Sequence, residues 1–125
     1  MGGGSFNSYV LAFTNGNIVV SYDPGKGFTP SAGNTTRTGA ISIGNDAGKT
    51  SQKKYAVAIG DQAGRSVQGN SAVALGNQAG RSQQGTSSVA IGNNAAKKFQ
   101  GEDAVAIGNQ AGLNNQKKLC RGYWW

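Results

Sequence analysis

Large aliphatic and small residues alternate in five blocks of the chain, and each block starts 16 residues after the one before it. Within a block the large side chains occupy every second position, which is the period of a β-strand and excludes a helix. Because no block carries an insertion or a deletion, every turn of the backbone has the same length, as stacked coils require. The blocks are AISIGNDAG from Ala40, AVAIGDQAG from Ala56, AVALGNQAG from Ala72, SVAIGNNAA from Ser88 and AVAIGNQAG from Ala104. The pattern predicts a β-solenoid of five 16-residue coils.

Each block ends in a turn signal. A Gly follows the second aliphatic residue and is followed by Asn or Asp, a pair that supplies positive φ and side-chain hydrogen bonds. A variable polar stretch comes next and contains a Gln in every copy, namely Gln52, Gln68, Gln84, Gln100 and Gln116. With two turns per coil, about five residues remain for each of two strands. We therefore predict an all-β fold, a flattened parallel β-roll with two sheets.

The two faces of the first strand differ in side-chain size. We expect the large aliphatic residues to fill the core of the roll: Val57, Ile59, Val73, Leu75, Val89, Ile91, Val105 and Ile107. The small residues would then form a flat face that another chain can approach closely: Ala56, Ala58, Ala72, Ala74, Ala90, Ala104 and Ala106. Because a single thin roll buries little apolar surface, we predict a homotrimer packed on the small-residue face. The reverse arrangement, with aliphatic rows at the trimer axis and Ala rows inside each roll, stays open.

Both ends of the repeat region read as caps, which protect the open strand edges of a solenoid. Residues 9–13 and 18–22 are β-rich and flank an Asn-Gly pair, which predicts a hairpin. The predicted organisation is a hairpin and connector over 1–38, a roll over 39–118 and an aromatic tail over 119–125. A sixth coil would begin at Cys120, where the pattern is expected to fail. Tyr123, Trp124 and Trp125 either cover the last coil or dock into a pocket of a partner.

The composition excludes much chemistry. The chain has no His and one Cys, so it lacks the commonest general base and cannot form an intrachain disulfide or a thiolate zinc cage. The sequence GNDAGKT from Gly44 resembles a phosphate-binding loop, but its spacing is one residue short and the same columns recur in the next coils. No apolar run has the length of a membrane span, and no secretory segment opens the chain. We expect no enzymatic activity, no cofactor, no metal and no membrane insertion.

The chain has a net charge of +7, and four of its cations occupy one column of the repeat. Stacking would align the cations of this column at intervals of roughly 4.8 Å: Lys49, Arg65, Arg81 and Lys97. Such a ladder is either a solvated surface or a site for a polyanion such as a sulfated glycan. No aromatic residue alternates with the cations, so specific nucleic-acid recognition is not expected.

Residues 56–60 (AVAIG) and 88–92 (SVAIG) resemble the head repeat of YadA-like trimeric autotransporter adhesins. The resemblance extends over residues 40 to 118 and implies a left-handed parallel β-roll that assembles as a trimer. The repeat is also similar to repeats in tail-fibre and surface proteins of phages and large DNA viruses. The period of 16 is longer than that of a common adhesin head, and no heptad stalk or signal segment is recognised.

These observations predict a non-enzymatic structural protein. Because the short chain has its own caps but no recognised export or anchoring part, we favour a spike, fibre or capsid component of a virus or phage, located in the virion. The alternatives are the head of a bacterial cell-surface adhesin, or a glycan- or polyanion-binding module that uses the basic ladder. The expected partners are further copies of the chain and other structural proteins of the virion or the cell surface.

Overall fold

The computed structural model describes residues 9–14, 17–22, 38–115 and 121–123, and these residues contain strands and turns but no helix. The strands are β1 (Tyr9–Thr14), β2 (Asn17–Tyr22), β3 (Ile41–Ile43), β4 (Ser51–Gln52), β5 (Val57–Ile59), β6 (Val67–Gln68), β7 (Val73–Leu75), β8 (Gln83–Gln84), β9 (Val89–Ile91), β10 (Val105–Ile107) and β11 (Arg121–Tyr123).

The strands form two sheets that the chain visits in turn. The first sheet has the order β1-β2-β3-β5-β7-β9-β10-β11, and the second has the order β4-β6-β8. A parallel bridge between Gln84 and Gln100 adds one rung to the second sheet. The repeat strands pair in parallel with a shift of 16 residues, so that Val57 lies beside Val73 and Ala58 beside Ala74. The fold is a parallel β-solenoid of about four turns, which confirms the predicted fold class.

Like residues stack on like residues along the repeat strands of the first sheet. The parallel registers join Val57, Val73, Val89 and Val105 into one continuous row. The neighbouring row runs through Ile59, Leu75, Ile91 and Ile107 in the same way. A strict 16-residue period in the sequence has therefore become a strict register in space.

The repeat strands are shorter than predicted, with three residues each in the first sheet and two each in the second. In each of the first three coils two residues other than Gly have positive φ, one in each turn, as with Gln62 (φ 59°) and Ser71 (φ 58°). The coil from Ser88 has a third such residue, Ala96 (φ 47°). A residue in the left-handed region cannot continue the extended backbone, so it ends the strand. The turns consequently take up more of each coil than the Gly-Asn signal indicated.

The interior of the roll is lined by small side chains. All the alanines that were predicted to form the trimer face are 0% exposed inside the roll: Ala56, Ala58, Ala72, Ala74, Ala90, Ala104 and Ala106. The residues predicted to form the roll core face outward and are half-buried or exposed: Val57, Ile59, Val73, Leu75, Val89, Ile91, Val105 and Ile107. The predicted assignment of the two faces is therefore wrong, because the alanine rows and not the aliphatic rows fill the roll.

The physical reason is a row of buried glutamines that crosses the interior. Gln68 is 0% exposed, and its Nε2 donates to the carbonyl oxygens of Val57 at 2.6 Å and of Ala72 at 3.3 Å. Gln84 makes the equivalent bond to Val73 O at 2.6 Å in the next coil. These amides lie between the two sheets and leave space for methyl groups only. Branched side chains on the same strands must point outward.

Changing Gln84 to Met should destabilise the roll by about 1–3 kcal/mol, because a side chain of similar length replaces a buried hydrogen-bond donor. The substitution removes the bonds to Val73 O and to Gln100 Oε1. Chemical denaturation at a fixed protein concentration measures the change. Gln83→Met is the matched control, because Gln83 lies next to it and faces solvent. Equal stability of the two variants would contradict this account of the interior.

The two ends of the first sheet extend beyond the repeat. Strands β1 and β2 pair antiparallel, with Tyr9 opposite Tyr22, which confirms the predicted hairpin. Strand β2 then pairs in parallel with β3 and so covers the first edge of the roll. At the other end β11 pairs in parallel with β10, with Arg121 beside Val105. The sheet thus continues where the pattern was expected to fail, while Cys120, Trp124 and Trp125 lie outside the described residues.

Candidate functional site

The outward side of the first sheet carries a continuous apolar face. We call it the aliphatic face, and it consists of Ile41, Ile43, Val57, Ile59, Val73, Leu75, Val89, Ile91, Val105 and Ile107. Ile43 and Ile59 are each 37% exposed, and Ile107 is 36% exposed. Contiguous apolar patches of this kind are rare on monomeric proteins and mark sites of association. The aliphatic face is the first candidate site.

A column of glycines keeps the aliphatic face regular. Gly60 has φ +128°, and a Cβ placed on it would lie 2.7 Å from the backbone of Gly76. Gly76 stands in the same relation to Gly92, with a Cβ 2.8 Å from Gly92 O. Only a residue without a side chain permits this approach between coils. The turn glycines therefore hold successive aliphatic residues in register.

Two cations of the predicted ladder, Arg65 and Arg81, approach the preceding coil of the same chain. Arg81 Nε donates to Gln62 Oε1 at 2.8 Å, a contact across 19 residues to the preceding coil. Arg65 Nε lies 3.5 Å from Asp46 Oδ2, also across 19 residues, but makes no hydrogen bond. Lys49 Nζ lies 3.1 Å from Asp46 Oδ1 within the same turn. Exposed pairs of this kind contribute little stability. The polyanion-binding role of Lys49, Arg65, Arg81 and Lys97 stays a prediction.

The last described coil lacks this contact. Asn94 occupies the turn position of Asp46 and Gln62, and its Oδ1 is buried without a hydrogen-bond partner. The residue 19 positions later, where a cation is expected, is Leu113. The break in the basic column at Leu113 was visible in the sequence, but its consequence depends on the cross-coil contact that only the fold reveals.

Leu113→Arg should stabilise the roll by about 1 kcal/mol, because the new guanidinium gives the buried Asn94 oxygen a donor. The midpoint of thermal unfolding should rise relative to the unmodified protein. Leu113→Ala serves as the control, since it removes the same aliphatic side chain and adds no donor. If Arg and Ala at this position gave the same midpoint, the proposed contact would not form.

A second column ties the coils together at the surface. Asn77 Nδ2 donates to Asn93 Oδ1 at 3.0 Å, and Asn93 Nδ2 donates to Asn109 Oδ1 at 3.1 Å. Asn45 makes the same contact with Asp61 at 3.0 Å. The residues after the turn glycines therefore form side-chain hydrogen bonds between coils, in one pair and one run of three, a role that the turn signal alone did not predict.

The described part of the chain offers neither a metal-binding cluster nor a membrane-spanning helix. It contains no group of three or more His, Cys, Asp or Glu side chains arranged to bind a metal ion. Among the same residues, no helix has the length and apolar character needed to cross a membrane.

The tail residues Tyr123, Trp124 and Trp125 were predicted to cover the last coil or to dock into a partner. Tyr123 lies in β11, in register with Ile107. The other two residues lie outside the described range. The docking role of all three stays a prediction.

The described residues define a class of fold, a parallel β-solenoid of stacked repeats with an apolar outer face. Residues 84–96 match the family model of the YadA head domain repeat, in two copies. This family is a structural, adhesin-type domain, and the match confirms the resemblance that the repeat blocks indicated. No curated protein and no solved structure matches the chain.

Proposed function

We propose that this protein is a head-type module of a bacterial surface adhesin, a rigid β-roll that presents its outer surface to the surroundings. The observation that carries the proposal is the YadA head repeat match at residues 84–96. The matched segment includes β9 together with the residues of positive φ on either side of it, Ser87 and Gly92. It therefore contains the structural elements that repeat along the roll.

The viral or phage role favoured by the sequence pattern has no support in this match. That preference was based on the export and anchoring parts of an adhesin, which are not recognised in the sequence. The matched repeat, in contrast, is itself a feature of adhesin heads. The bacterial cell surface is accordingly the proposed location, in place of the virion.

Three copies are proposed to pack through the aliphatic face. The alanine rows cannot form the interface, because they are fully buried inside each roll. The aliphatic rows are in register and partly exposed, so symmetry-related copies can place identical rows side by side and remove them from water. The trimer explains why large apolar residues recur at outward positions.

The location can be tested in cells that produce the protein. Antibodies raised against the full chain should label intact cells, and external protease should remove that label while a cytosolic marker survives. Purified phage or virus particles from the same culture provide the second sample. Label confined to particles, or to the cytosol of broken cells, would overturn the proposed surface role.

A further inference from the structure

We propose that a groove on the outward face of the second sheet binds an uncharged sugar ring. The groove has a volume of about 230 Å³ and is lined by residues of four successive coils, from Lys53 to Glu102. It lies on the sheet opposite the aliphatic face, so a trimer packed through the aliphatic face leaves the groove accessible. The inference names a ligand class for the proposed adhesin head and rests on that function for its biological setting.

The floor of the groove is backbone. Gly69, Gly85 and Gly101 follow one another in register and carry no side chain. A Cβ on Gly69 or Gly85 would lie 2.6 Å from the backbone of the next coil. Close coil packing therefore requires these glycines, and a flat-bottomed depression results between two columns of side chains.

One wall of the groove combines apolar and polar groups. Val67, Gln83 and Phe99 occupy successive rungs of one outward column. Val67 and Phe99 are each 38% exposed, and Gln83 between them is exposed. An apolar platform beside an exposed amide suits a ligand with an apolar face and hydroxyl groups at its edge.

Polar and charged groups also line the opposite wall and the two ends of the groove. Thr86 contributes an exposed hydroxyl opposite Gln83, which can donate and accept hydrogen bonds. Lys53 and Glu102 line the two ends with opposite charge. The charges balance along the groove, so it favours a neutral ligand over an anionic one.

The size and the floor select a sugar ring over a peptide. The volume is below the range of a typical drug-sized pocket and suits a single ring. The amides of Gly69 and Gly85 already donate to Gln84 O and Gln100 O, both at 2.8 Å. An extended peptide therefore finds no main-chain donors on the floor, and peptide recognition by strand addition depends on such groups.

The test is saturation-transfer NMR of the full chain with the methyl glycosides of glucose, galactose and N-acetylglucosamine as probes. We expect transfer to the ring protons of at least one probe, and shifts of the Gly85 and Gly101 amides in labelled protein. A site this open gives dissociation constants on the order of millimolar. Phe99→Ser should weaken binding about tenfold, because it removes the aromatic platform.

The chain offers matched controls. Ser51 occupies the Phe99 column in the first coil and Ser71 occupies the column of Tyr55 in the second, so serine is a native residue in both columns. Tyr55 is 61% exposed but does not line the groove, and Tyr55→Ser should leave binding unchanged. Gln83→Val introduces the residue of the neighbouring coil, Val67, and should weaken binding by removing the amide.

Four results would overturn the proposal. The first two are no transfer to any probe, and an equal loss of sugar binding in Tyr55→Ser and Phe99→Ser. The others are binding of sulfated sugars alone that survives Phe99→Ser, and a proline-rich peptide that shifts the same amides while the sugars do not. Surface labelling of cells is measured separately. A trimer that is displayed on the surface but does not bind sugar would contradict only the sugar-binding inference. Sugar binding by a protein that is absent from the surface would contradict only the proposed location.

Discussion

Replacing Gly76 with Ala is expected to destabilise the roll by about 3–5 kcal/mol. The added methyl would lie 2.8 Å from Gly92 O and 2.9 Å from Gly92 C, and the backbone has φ +123°, which side-chain-bearing residues rarely adopt. Because the contact is with backbone, no side-chain rotation can relieve it. The coil of β7 must move away from the coil of β9, and every ladder bond between them is strained.

Asn77→Ala is the matched control for this experiment. Asn77 is the next residue in the chain and is exposed, and it loses a single surface hydrogen bond of 3.0 Å to Asn93. A loss of at most about 1 kcal/mol is expected. Both variants should be unfolded at one protein concentration, because assembly makes apparent stability concentration-dependent. Similar midpoints for the two variants would show that close glycine stacking is not what sets the coil spacing.

Val73→Glu is expected to convert the proposed trimer into a folded monomer. Val73 lies in the central part of the aliphatic face between Val57 and Val89. A carboxylate there would be desolvated against its symmetry mates, and like charges brought together in an interface cost several kcal/mol. Because the side chain points away from the roll interior, the coil itself has no reason to unfold. Sedimentation velocity gives the mass, and circular dichroism reports the fold.

The control for Val73→Glu places the same charge on the other sheet. Gln83 faces solvent on β8, so Gln83→Glu should leave the mass of the assembly unchanged. The proposal also requires the unmodified protein to be a trimer in solution. A folded monomer at micromolar concentration, or a trimer that persists in Val73→Glu, would show that the aliphatic face is not the interface.

Much of the fold follows from the repeat. The constant spacing from Val57 to Val105 predicts parallel stacking, and the register of β5, β7, β9 and β10 agrees residue by residue. The Asn-Gly pair at residues 15–16 predicts the hairpin of β1 and β2. These features depend on local chemistry and on periodicity, which are properties of the sequence itself.

The orientation of the strands could not be obtained in this way. Alternation places Val57 and Ala58 on opposite faces, but it is silent on which face lies inside the roll. The usual preference for burying the larger residue gave the wrong answer here. Gln52, Gln68, Gln84 and Gln100 all cross the interior to carbonyl groups of the first sheet, and the space they leave decides that the alanines are inside.

The candidate sites also depend partly on the sequence pattern and partly on the packing of the coils. The basic column from Lys49 to Lys97 was visible in the sequence, but the approach of Arg65 to Asp46 and of Arg81 to Gln62 arises from packing of one coil on the next. The groove beside Phe99 has no sequence motif, because its floor and walls come from different coils.

The sequence by itself determined the number of residues per coil, the parallel register and the alternation of large and small side chains, because a fixed period places equivalent residues in equivalent positions. Only the tertiary structure decided which of the two strand faces is buried and which surfaces remain free. That choice depends on the distance between the two sheets, and the buried glutamine side chains that span the gap set this distance.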